Sequence, residues 1–179
     1  MIFYGVDGGA SGGVAAYNDD TRTLYYFSFK ESPTDAVDFV HEIGSGIVYI
    51  EKQTYAQGGR KNEEGEFVRK SSPRAMGVLG QWTGFALGIF MAEKCQVVQV
   101  PSRTWMSKMI PPKMYQKGRL NCYKGKAWKN YLKAVAQEKY PKAKITLETA
   151  DAFLIMTYAY QMTTGKSLPY VEHYVKLKG

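Results

Sequence analysis

The chain has 179 residues, 45% of them hydrophobic, enough for one domain with a substantial core. No apolar run approaches the roughly 18 residues that cross a bilayer, so no membrane partner is expected. The 24 basic and 16 acidic residues give a net charge of +8, and the sign is segregated. Residues 1–50 hold 2 basic and 7 acidic residues, whereas residues 103–144 hold 12 basic and 1 acidic, a net of +11. Aromatic residues interleave that second stretch, which points to a polyanionic partner, nucleic acid first; a solvated lysine face is the plainer alternative. Cys95 and Cys122 have no metal-binding spacing, and Asp7 interrupts the apolar start, against a signal peptide. A cytoplasmic or organellar compartment is expected rather than secretion.

Ile2 to Asp7 reads as an apolar strand ending on an acid, followed by a glycine-rich turn. A carboxylate ending a buried strand is costly unless a cation meets it. Gly12 to Tyr17 and Thr23 to Phe29 continue as an antiparallel meander, with Asn18-Asp19-Asp20 as a turn. Ser32 and Pro33 are expected to cap and open a helix whose Ala36, Val37, Phe39, Val40 and Ile43 line one face, closed by Gly44-Ser45-Gly46. Ile47-Val48-Tyr49-Ile50 is a second buried strand with an acid, Glu51, at its carboxyl end. Sites in open α/β sheets gather at such ends, so Asp7 and Glu51 on neighbouring parallel strands would reach one ion.

Residues 52–73 are expected to form a basic loop or hairpin beside the site. A helix from about Pro73 to Lys94 is dotted with glycine, and Gly80, Gly84 and Gly88 at four-residue spacing favour close packing on another backbone within the fold. Val97 to Val100 forms a strand stopped by Pro101, and Ser102 is placed to cap a helix or turn starting there. A basic, aromatic stretch at about 106–126 reads as a surface excursion. Gly125 to Tyr140 reads as a helix with Ala127, Tyr131, Leu132, Val135 and Ala136 inward and Lys126, Lys129, Lys133 and Lys139 outward. A last helix from Thr146 to about Met162 carries Glu148 and Asp151 on one face of its first turn. Helix capping alone would also account for that pair.

Asp7, Glu51, Glu148 and Asp151 together would carry a charge near −4, which is unstable without cations. Two magnesium ions would neutralise it and hold the attacking and leaving oxygens of an in-line phosphoryl displacement, with water as nucleophile and a lysine stabilising the developing charge. Manganese is expected to substitute. No competing constellation is present: His41 and His173 are far apart, no serine lies in a nucleophile elbow, and no GxxxxGK[ST] loop occurs.

The order of these motifs resembles that of the RNase H-like (retroviral-integrase-like) nuclease superfamily and, within it, the RuvC-type Holliday junction resolvases of phage, bacteria and organelles. Tyr4-Gly5-Val6-Asp7 with Gly8 and Ser11-Gly12 resembles the first-strand motif, and Ile50-Glu51-Lys52 the second. Leu79-Gly80-Gln81 with Gly84 resembles the glycine-rich helix, and Val100-Pro101-Ser102-Arg103-Thr104-Trp105 the motif after the next strand in plant chloroplast members. Lys129 through Tyr140-Pro141 resembles their lysine helix, and Glu148-Thr149-Ala150-Asp151-Ala152 the closing acid pair. The resemblance spans residues 2 to about 160.

It implies a single α/β domain over residues 1–179 with an RNase H-like fold: a mixed five-stranded sheet, a three-stranded antiparallel meander plus parallel strands, flanked by helices. It implies that Asp7, Glu51, Glu148 and Asp151 are catalytic and bind magnesium, although bacterial members usually have Asp where Glu148 stands. Lys129 matches a basic catalytic or phosphate-binding residue, with Lys126 and Lys133 as competitors. Tyr55 is the candidate for an aromatic wedge in the junction, one residue out of place. Further DNA contacts are expected from Lys52, Arg60 and Lys61, and from Arg103, Lys108, Lys113, Lys117, Arg119 and Lys124. The implied activity is paired nicking of four-way DNA junctions by a homodimer whose twofold symmetry matches the junction's, with the glycine-rich helix as a contact surface. The alternatives are another RNase H-like nuclease or transposase-like strand cleaver, a silent DNA-binding relative, and a sugar-kinase or actin-like ATPase fragment. Gly5-Val6-Asp7-Gly8-Gly9 resembles the first phosphate loop of those kinases, but they need two such domains.

Overall fold

A computed structural model describes residues 1–30, 34–52, 59–61, 64, 67–69, 72–111 and 125–176. The expected cap Ser32-Pro33, Tyr55, and Lys113, Lys117, Arg119, Lys124 and Cys122 lie outside the described residues.

The strands are β1 (Ile2–Asp7), β2 (Gly13–Asn18), β3 (Thr23–Ser28), β4 (Ile47–Lys52), β5 (Gly59–Lys61), β6 (Phe67–Arg69), β7 (Gln96–Pro101) and β8 (His173–Lys176). The helices are α1 (Asp35–Ile43), α2 (Pro73–Ala92), α3 (Ser102–Met109), α4 (Lys126–Lys139) and α5 (Ala150–Thr164). The main sheet runs β7-β4-β1-β2-β3-β8, and β5 pairs with β6 as a separate antiparallel hairpin. The sheet therefore has six strands where five were expected. The sixth, β8, pairs parallel with β3 from Thr23↔His173 to Tyr26↔Lys176. Its four residues, His-Tyr-Val-Lys, carry too little apolar pattern to announce a strand.

Side-chain alternation sorts the sheet into two faces. Tyr4, Val6, Val48 and Ile50 pack with Phe39, Val40, Ala86 and Phe90 of α1 and α2. Phe3, Ile47 and Tyr49 pack on the other side with α3, α4 and α5. The result is a three-layer α/β/α arrangement with β1 at its centre. α5 crosses β1 directly: a Cβ on Gly5 would lie 2.1 Å from the Met156 nitrogen and 2.2 Å from the Ala152 oxygen. Glycine inside a strand marks such a close backbone approach.

Several expectations are corrected. Val37 is exposed, and the buried face of α1 is Ala36, Phe39 and Val40. Ala127 is exposed at the start of α4, ahead of the turn that reaches the core. Ser102 lies inside α3, whose N-cap is Pro101, with no side-chain cap bond. Of the glycines expected to pack closely, Gly84 and Gly88 do not do so within the fold, since a Cβ on either, as on Gly77, would meet nothing within 4 Å. By length and composition α2, at a mean hydropathy of 1.4, is apolar enough to cross a membrane, contrary to the expectation that no segment qualifies. Its one charged residue, Arg74, stands in the first turn, and its Ala86, Ile89 and Phe90 are buried in the fold.

Candidate active site

Period-two alternation carries Phe3, Gly5 and Asp7 onto the α5 face of β1, and Ile47, Tyr49 and Glu51 onto the same face of β4. β1 and β4 are parallel, with Val6 opposite Ile50, so Asp7 and Glu51 follow side by side at the carboxyl ends. Gly5 lets α5 descend onto β1 at Ala152 and Met156, which sets Asp151, one residue before Ala152, above the same strand end. Farther along, Tyr160 stacks edge-on against Phe3 with centroids 4.9 Å apart, so α5 runs antiparallel to β1. Three acids distant in sequence thus converge.

Their electrostatics record the convergence. Burial and the negative charges of Asp7 and Glu51 push the Asp151 carboxyl up to about 8. Burial, then Asp7, push Glu51 up to about 7. Burial raises Asp7, partly offset by the Gly9 N–H, which donates to its Oδ1 at 3.2 Å. No ion pair reaches any of the three among the described residues. The positive charge that all four acids feel is that of Lys129, on the exposed side of α4.

Glu148 differs from the other three. The sequence places it inside the last helix, but α5 starts at Ala150 and Glu148 lies in the preceding turn. Thr149 stabilises that turn by accepting a hydrogen bond from the Thr146 N–H at 3.1 Å. The Glu148 carboxyl is held below its ordinary value by hydrogen bonds to Thr146 and to its own backbone, then by Lys30 and Lys129. Lys30 Nζ stands 3.9 Å away. Glu148 is therefore a rim group, charged and solvated, beside a buried trio.

Among the other expected residues, Lys52 is exposed immediately after Glu51, and Arg103 and Lys108 are exposed on α3. Lys126 is exposed and Lys133 half-buried on α4. Arg60 and Lys61 lie on β5. Three groups at the site do not stand out in the sequence. Lys30 carries no local signal. Gly5 is legible in principle as a glycine within a strand. Trp105 enters only as part of a motif, yet its buried indole Nε1–H donates to Glu51 Oε2 at 2.9 Å.

The donor set fits a hard divalent cation: hard carboxylate oxygens, buried, mutually repelling and short of positive charge. Among the described residues no group of three His, Cys, Asp or Glu side chains stands ready-made as a metal cage.

No protein-family model and no curated protein matches the chain. Among solved structures, Thermus thermophilus RuvC in complex with a Holliday junction substrate superposes with a TM-score of 0.51 at 12% identity, covering 93% of this chain and 99% of that one. A second Thermus thermophilus RuvC structure gives 0.45 at 15% identity, covering 95% and 100%. The chain has the RNase H-like fold of RuvC, with one strand more than its sequence suggests.

Proposed function

We propose that the chain is a metal-dependent nuclease that resolves four-way DNA junctions by paired nicks. The observation that carries this reading is the convergence of Asp7, Glu51 and Asp151 at the carboxyl ends of β1 and β4 under the start of α5. The shared fold with a RuvC bound to a Holliday junction supports the choice of substrate.

Asp7, Glu51 and Asp151 would hold magnesium, with manganese as a substitute, and Glu148 would join from the rim. When bound, two such ions would supply Lewis-acid stabilisation of the attacking and leaving oxygens of an in-line displacement. The chain's own groups do the rest. Burial in a low-dielectric strand end strengthens every charge interaction there. The Gly9 N–H and the Trp105 indole each take up one carboxylate oxygen of Asp7 and Glu51, so those side chains are oriented in advance. Lys129, whose charge reaches all four acids, would offset the growing negative charge on the scissile phosphate. Lys30, beside Glu148, and Lys52, next to Glu51, are exposed and would contact backbone phosphates, with Lys126 as a further exposed candidate.

A homodimer suits the twofold symmetry of the junction. The outer side of α2 is its proposed contact surface: Val78 and Met91 are 41% and 68% exposed, and Gly77, Gly84 and Gly88 leave the backbone open to close approach.

The test is cleavage of synthetic four-way junction, fork and linear duplex with magnesium or with EDTA. Metal-dependent, symmetric nicking of the junction in preference to the others is expected. Equal cutting of all three substrates removes the junction assignment, and cutting in EDTA removes the metal.

A further inference from the structure

Trp105 is fully buried in the core between β7, α3 and α5, with its ring packed among apolar side chains. An indole has a single donor and no acceptor, and a buried one needs a partner for it. Here the partner is Oε2 of Glu51, 2.9 Å away and 54 positions distant in sequence. β7 lies beside β4 with Val100 opposite Glu51, so the helix that begins one residue after Pro101 is carried to the same strand end by the sheet itself. The bond engages one carboxylate oxygen of a side chain that also feels the charge of Asp7, and it does not occupy Oε1. A Trp side chain has only two torsions and is locked here by packing, so it holds that orientation at small entropic cost.

We propose that Trp105 is a positioning residue of the acid site: its indole N–H fixes which oxygen of Glu51 is presented to a divalent ion. The inference rests on the metal-dependent reading above. Groups that orient a coordinating carboxylate in this way typically change metal affinity by about 10–100-fold when removed. Phe at 105 keeps most of the ring volume and deletes the donor.

Two measurements on the full chain test it. In calorimetric titration with manganese alone, W105F is expected to bind about tenfold more weakly than wild type. In an E51Q background, adding W105F is expected to cause no further loss, because the indole acts only through Glu51. Junction affinity in EDTA is expected to stay unchanged. The second measurement needs no change at 105. With 15N-tryptophan labelling, the chain's three indole N–H resonances are assigned with W82F and W128F. The Trp105 resonance is expected to shift on magnesium addition and to lose that response in E51Q. The proposal is overturned if W105F binds manganese within twofold of wild type, or if the loss is as large in E51Q. It is equally overturned, even where W105F does not fold, if magnesium leaves the Trp105 resonance unmoved. If wild type takes up no manganese at all, the metal reading falls and the role of Trp105 with it; uptake with an indifferent Trp105 removes this inference alone.

Discussion

Gly5→Ala perturbs the contact that builds the site. The added Cβ would lie 2.1 Å from the Met156 nitrogen and 2.2 Å from the Ala152 oxygen, both backbone atoms of α5 that cannot swing aside. Ordinary contact begins at 3.4 Å, so 3.4 less 2.1 leaves α5 to retreat about 1.3 Å from β1. Overpacking of this kind costs about 1–3 kcal/mol. For a chain of this size each kcal/mol lowers Tm by about 2–4 °C. The larger consequence is chemical. Asp151 rides on the displaced turn, and a shift of about 1 Å in a reacting constellation costs on the order of 10²-fold in rate. Thermal unfolding and junction nicking by the same preparation measure both effects. A Tm within about 1 °C of wild type, against the drop of about 2 °C or more worked above, together with a nicking rate within threefold would show that α5 does not depend on Gly5 to place Asp151. Gly84→Ala is the matched control. Within one protomer its Cβ meets open space in a helix interior, where Gly→Ala gains about 0.5–1 kcal/mol, so the Tm of the monomeric chain should rise while close packing of a second chain on α2 weakens.

Asp7→Asn should abolish nicking while junction binding in EDTA survives, read by gel shift beside cleavage; normal cutting would place the ion elsewhere. Glu148→Gln should cost far less nicking than Asp151→Asn, because Glu148 is a rim group paired with Lys30. Lys129→Met should lower the nicking rate by about 10²-fold or more with little change in junction affinity, as for loss of one preorganised charge donor. Stability without metal should depend on pH in a defined direction. Glu51 and Asp151 are raised from 4.5 and 3.8 to about 7 and 8, so between about pH 4 and 8 the folded chain binds more protons than the unfolded one. In EDTA, denaturant unfolding should therefore show stability falling as pH rises through that window, and magnesium should restore it most at the alkaline end.

The acids at the strand ends were legible because burial and charge conflict locally. Five apolar or glycine residues before Asp7, and the apolar run before Glu51, already mark each carboxylate as needing a partner. The meander, α2 and the lysine-bearing α4 were likewise legible, since hydrophobic period and turn chemistry are properties of short stretches. Where the local pattern was weak or ambiguous, the reading went astray. β8 takes its strand character from pairing with β3, and the start of α5 shifted to Ala150 because Thr149 ties back to Thr146.

The amino-acid order by itself determined which residues are chemically out of place and, for Asp7, Glu51 and Asp151, on which elements they stand. Only the tertiary structure decided that they meet, that the charge of Lys129 reaches all four acids, that Glu148 stays at the rim, and that Trp105 reaches Glu51. The reason is physical: a propensity acts over a turn or a strand, whereas the field of a buried carboxylate is set by whatever distant backbone the packing of α5 on Gly5 brings against it.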